Sequence, residues 1–102
     1  MSRHVELLFW DGCPSHPEAL GLLREVMAEQ GLDGDVELHE VRTDAEAVAL
    51  AFPGSPTIRV DGRDVDEQGA SATPSLTCRI YHLPDGRVSP VPSRKQLEDA
   101  LR

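Results

Sequence analysis

Hydrophobic residues change their spacing along this chain, and the changes mark its elements. Val5-Glu6-Leu7-Leu8-Phe9-Trp10 is a short apolar run of strand formers, closed by the turn pair Asp11-Gly12. Beyond it, Leu20, Leu23, Val26, Met27 and Leu32 fall on one face of a helix. Pro14 and Pro17 suit its first turn, Glu18 suits the positive end of its dipole, and Gly31 closes it. After an Asp33-Gly34 turn, Val36-Glu37-Leu38-His39-Glu40-Val41 alternates with the period of a strand buried on one face. Thr43 or Asp44 caps a second helix, with Ala45, Val48, Ala49 and Phe52 as its inner face and Pro53-Gly54 as its stop. Ser55-Pro56-Thr57-Ile58-Arg59-Val60 reads as a third strand ending at Asp61-Gly62, and the polar residues 63–75 read as a loop. Leu76-Thr77-Cys78-Arg79-Ile80-Tyr81 reads as another strand before the turn Pro84-Asp85-Gly86. Ser93 caps a closing helix that carries Leu97, Ala100 and Leu101.

This order predicts a single α/β domain over residues 1–102. Its first part forms a parallel βαβ unit with a right-handed crossover; an antiparallel strand pair follows, giving a mixed central sheet with helices on both faces. Aromatic residues are only 4% of the chain, so the core is expected to be aliphatic. A net charge of −8 with scattered basic residues excludes nucleic acid as a partner and favours a soluble monomer. No apolar run reaches the roughly twenty residues that span a bilayer, so no membrane partner is expected. Met1-Ser2-Arg3-His4 leads into the first strand without the pattern of a signal peptide, and a cytoplasmic location is expected. In that compartment Cys13 and Cys78 are expected to be thiols.

Phe9-Trp10-Asp11-Gly12-Cys13-Pro14-Ser15-His16, followed by a helix, resembles the active-site turn of the thioredoxin-like superfamily. Gly54-Ser55-Pro56-Thr57-Ile58-Arg59-Val60-Asp61-Gly62 is similar to the cis-proline loop of the same superfamily, and the two features stand a helix, a strand and a helix apart. The long loop and the Cys78 strand look like those of small bacterial thioredoxin-like proteins. The resemblance implies a thioredoxin-like fold with Cys13 as the reactive cysteine. It implies a cis Pro56 that sets the backbone of Ser55 opposite Cys13, where a partner chain docks in extended form. It also implies a binding surface of Trp10, Gly12, Pro14, Ser15, Ser55 and Pro56. His16 stands where that family keeps its second cysteine, so this turn holds no resolving thiol.

A thiol at a helix start meets free backbone N–H groups and the positive end of the dipole, which favour thiolate. Cys13 is therefore expected to be exposed and activated, with His16 as its electrostatic partner one helical turn away. Trp10 either shields the thiol or packs on the sheet. Cys78 has two placements. A strand running directly from the far pole leaves it buried mid-sheet, the expected case. A strand returning over residues 63–66 brings it toward Cys13. His4, His39 and His82 lack metal-ligand spacing, and Asp61, Asp64, Asp66 and Glu67 read as a solvated acidic cluster, so no resident metal or organic cofactor is expected.

The leading functional expectation is thiol-disulfide redox or thiol-adduct chemistry at Cys13, with a small thiol such as glutathione or a protein thiol or disulfide as partner. Two alternatives stand beside it: a thioredoxin-like module that only binds protein, and binding of a soft ion such as mercury or copper through Cys13 and Cys78.

Overall fold

The computed structural model describes residues 3–32 and 34–102. Asp33 of the expected turn, and Met1 and Ser2 ahead of the first strand, lie outside them. The elements in chain order are β1 (Val5–Phe9), α1 (His16–Glu29), β2 (Glu37–Glu40), α2 (Asp44–Ala49), β3 (Thr57–Val60) and β4 (Arg63–Asp64). They are followed by α3 (Glu67–Ala70), β5 (Tyr81–His82), β6 (Val88–Ser89) and α4 (Arg94–Leu101).

A mixed four-stranded sheet, ordered β2-β1-β3-β4, forms the centre. β1 pairs in parallel with β2 and antiparallel with β3, so it is interior and both its faces are covered. Val5 and Leu7 point to one side, where they pack with Leu23, Val26 and Met27 of α1, Ile58 and Val60 of β3, and Leu97 and Leu101 of α4. Leu8 points to the other, where it meets Val41, Ala47 and Phe52. Alternation along a strand thus puts α1 and α4 on one face and α2 on the opposite one. Ser93 closes a capping box with Gln96 at the start of α4, and Arg94 pairs with Glu29 at 2.5 Å to tie α4 to α1.

Three expectations are corrected here. In α2 the buried side chain is Ala47, while Ala45 and Ala49 are exposed and Val48 is 65% exposed. The helix is short, and it contacts the sheet through Ala47 and the following Phe52. In β2, the edge strand of the sheet, Leu38 is 49% exposed, whereas Val41 is buried just beyond it. Residues 63–75 are not all loop. Asp61 and Gly62 take positive φ values of 52° and 84°, the two-residue turn that suits a hairpin, and β4 returns alongside β3.

That return decides where the rest of the chain goes. It carries residues 71–80 back toward the end of β1, so the expected strand over 76–81 does not join the central sheet. Cys78 forms only a single parallel bridge with Ser55. Tyr81 and His82 pair antiparallel with Ser89 and Val88 in a separate two-stranded hairpin. Among the described residues no helix is long and apolar enough to cross a membrane.

Candidate functional site

The site begins where β1 ends. The N–H of Cys13 donates to the carbonyl of Trp10 at 3.0 Å, closing a tight turn over residues 10–13. Gly12 lies directly under the indole: a Cβ there would stand 2.6 Å from Trp10 Cε2. Trp10 packs against the Leu8, Val41, Ala47 and Phe52 cluster, so the indole belongs to the α2 face of the sheet.

α1 starts at His16, not at Cys13, and this displaces the role expected of His16. Ser15 is the N-cap residue, yet its side chain makes no capping bond. Its hydroxyl instead lies 3.3 Å from Cys13 Sγ. His16 turns the other way and stacks on Phe9, ring centroids 4.2 Å apart and planes inclined by 17°. Its Nδ1 is buried without a hydrogen-bond partner among the described residues. His16 is therefore not the polar partner of Cys13; Ser15 is. The expected one-turn spacing fails because Cys13 sits in the turn ahead of the helix, where the i, i+3 relation of a helix face does not hold.

Cys13 is also not exposed. It is 2% accessible and joined in a disulfide to Cys78, 65 residues away, with the two Cα atoms 5.6 Å apart. Cys78 is exposed rather than buried in a sheet. The second thiol that the turn lacks thus arrives from the far side of the chain. Ser55-Pro56 is a cis peptide bond, as the family resemblance implied, and the Ser55 carbonyl oxygen lies 3.6 Å from Cys13 Sγ. Ser55 is fully buried, however, and its backbone is already engaged: its N–H donates to Thr77 O and its carbonyl accepts from Arg79 N–H, both at 2.8 Å. In this disulfide form the chain's own segment 77–79 occupies the edge expected to receive a partner.

Arg79 anchors that segment. Its Nη1 and Nη2 donate to the two carboxylate oxygens of Asp64 at 2.7 and 2.8 Å, and Nη2 also reaches Asp66 O at 2.9 Å. The guanidinium lies 4.4 Å from the centre of the Tyr81 ring, and the Tyr81 hydroxyl donates to Pro56 O at 2.6 Å. Burial is the largest single influence on Arg79 and works to lower its pKa, but the hydrogen bonds to Asp64 and the charges of Tyr81, Asp64 and Asp66 together raise it and hold the guanidinium charged. Burial raises the Tyr81 pKa well above its ordinary value, against the opposing pull of Arg79. Asp64 is thus no part of a solvated cluster; it is the buried counter-ion of Arg79.

No family model, curated protein or solved structure matches this chain.

The geometry gathers Cys13, Ser15, Ser55, Pro56 and Cys78 at one place, leaves His16 and Trp10 beside it on separate packing surfaces, and adds Arg79, Asp64 and Tyr81. Those last three escaped the sequence reading. The one local signal was an arginine set inside an otherwise apolar run, which needs a carboxylate if that run is buried. Among the described residues no group of three or more His, Cys, Asp or Glu side chains is arranged to hold a metal.

Proposed function

We propose that this protein is a thiol–disulfide exchange protein of thioredoxin-like architecture, with Cys13 and Cys78 as its redox couple. The observation that carries the reading is the disulfide between the turn after β1 and the segment lying on Ser55. A purely structural staple needs no activating surroundings. Here one sulfur lies just ahead of the first turn of a 14-residue helix and within 3.3 Å of a hydroxyl that does not cap that helix. Both features favour a thiolate at Cys13 once the bond opens. The chemistry differs from a one-cysteine adduct protein, because Cys78 is at hand to expel any adduct and re-form the intrachain bond. The partner is a small thiol such as glutathione, or a protein dithiol or disulfide.

The test is equilibration in glutathione redox buffers, with acid quenching, alkylation and mass spectrometry to count free thiols. The reading expects a reversible two-electron couple between about −180 and −280 mV, the range of exchange proteins. A disulfide that stays closed below about −300 mV behaves as a structural staple and removes the proposal.

A further inference from the structure

We infer that outside thiols exchange at Cys78, and that Cys13 is the sulfur that leaves and later resolves. The inference rests on the redox reading above and assigns the two sulfurs unequal roles.

Thiol–disulfide exchange is an in-line displacement: the incoming thiolate, the attacked sulfur and the leaving sulfur must fall near one line. Attack on Cys13 would have to come from the side opposite Cys78. Cys13 is 2% accessible, and Ser15 and the Ser55 carbonyl stand against its sulfur. Attack on Cys78 comes from the side opposite Cys13, and Cys78 is exposed, as is the preceding Thr77. Access therefore selects Cys78.

Leaving-group quality selects the same direction. When a substrate thiolate bonds to Cys78 Sγ, the Cys13–Cys78 bond breaks and its electron pair stays on Cys13. The Ser15 hydroxyl, 3.3 Å away, can donate to that thiolate, and Cys13 precedes the start of α1, the end of the helix dipole that favours negative charge. If the thiolate takes a proton, the resulting S–H has the Ser55 carbonyl at 3.6 Å as its acceptor. A second substrate thiolate then attacks the substrate sulfur of the mixed disulfide and releases the Cys78 thiolate. Two electrons have passed from a substrate dithiol, now a disulfide, to the protein. In reverse, Cys78 thiolate attacks a substrate disulfide, and Cys13 thiolate displaces the substrate from Cys78 to restore the intrachain bond.

Arg79 keeps Cys78 in place for that resolving step. Its backbone N–H is bonded to Ser55, and its side chain is fixed to Asp64 and Asp66. The residue after Cys78 is thus held whether or not the disulfide is closed.

The experiment treats the oxidised wild-type protein with reduced glutathione, quenches with acid at short times and maps the glutathione adduct by peptide mass spectrometry. The expected result is adduct on Cys78 with free thiol on Cys13. In parallel, Cys13→Ser and Cys78→Ser proteins are exposed to oxidised glutathione. The Cys13→Ser protein is expected to form a lasting mixed disulfide at Cys78, about ten-fold faster or more than Cys78→Ser forms one at Cys13. Adduct mapped to Cys13 in the wild type overturns the inference while leaving the redox reading intact. Equal or reversed rates in the two variants do the same. A disulfide that glutathione does not open at all overturns both.

Discussion

Asp64 and Arg79 meet in a two-point ion pair with both side chains almost wholly buried, 5% and 3% exposed, directly behind the residue that carries the second thiol. Removing one member leaves the other charge in the interior without compensation. Asp64→Ala is expected to cost about 3–5 kcal/mol, measured as the loss of unfolding free energy in urea. Replacing both residues, as in Asp64→Ala with Arg79→Met, is expected to cost less than the two single changes added together. An additive result would show that the pair does not act as a unit.

Gly54 has φ +138°, and a Cβ placed there would stand 3.1–3.2 Å from the Cα, Cβ and N of Arg79. The glycine is needed both for its backbone angle and for the close pass of segment 77–79. Gly54→Ala is expected to destabilise by about 1–3 kcal/mol. It should also speed hydrogen exchange at the Ser55 and Arg79 amides, which bond across that contact. Unchanged exchange at those two amides would mean that the segment does not depend on the close pass.

Tyr81 has its pKa raised in the folded chain, chiefly by burial. A folded pKa above the unfolded one gives stability that is complete below the unfolded value near 10 and is lost as pH rises through the folded value. Stability is therefore expected to fall from about pH 10 upward as the unfolded tyrosine ionises first. Tyr81→Phe should flatten that alkaline limb. At neutral pH it should cost about 1 kcal/mol for the lost hydrogen bond to Pro56 O. Thermal melts of both proteins at pH 7 and pH 10.5 provide the check.

The Cys13–Cys78 bond closes a loop of 65 residues, more than half of the chain. Opening it restores freedom to the unfolded ensemble, and reduced protein is expected to be about 2–4 kcal/mol less stable than oxidised. Urea unfolding with and without reductant measures the difference. No change in midpoint would mean that the folded protein does not gain from the closed bond.

Ser15→Ala removes the hydroxyl nearest Cys13 Sγ without removing a helix cap, because that side chain makes no capping bond. The Cys13 thiol pKa is expected to rise, and reductive opening to slow several-fold, as a leaving thiol of higher pKa departs more slowly. Site-resolved alkylation of the reduced protein against pH reports the first effect, and stopped reduction by glutathione the second. An unchanged pKa would show that the hydroxyl does not support the thiolate.

Much of this architecture was legible from the chain because its determinants are local. The apolar run at 5–9, the helical spacing of Leu23, Val26 and Met27, the Ser93 cap and the Asp61-Gly62 turn each depend on neighbours within a few residues, where backbone preference and periodicity act. The turn that carries Cys13 and the proline loop were visible for the same reason. His16 misled because the sequence spacing implied a helix face, and the helix begins only at His16, three residues after Cys13, so the two do not share one.

What the sequence by itself determined is thus the order of the first three strands and of the helices α1, α2 and α4, the turns between them and the place of Cys13 at the end of the first strand. The tertiary structure alone decided that Cys78 meets Cys13, that Asp64 and Arg79 form a buried pair, and that segment 77–79 covers Ser55. All three follow from the two-residue strand Arg63–Asp64 turning back along β3, which redirects the chain that follows. So short a strand has almost no propensity of its own. Its pairing is fixed by the long-range contacts it enables, and those have no signature in the neighbouring residues.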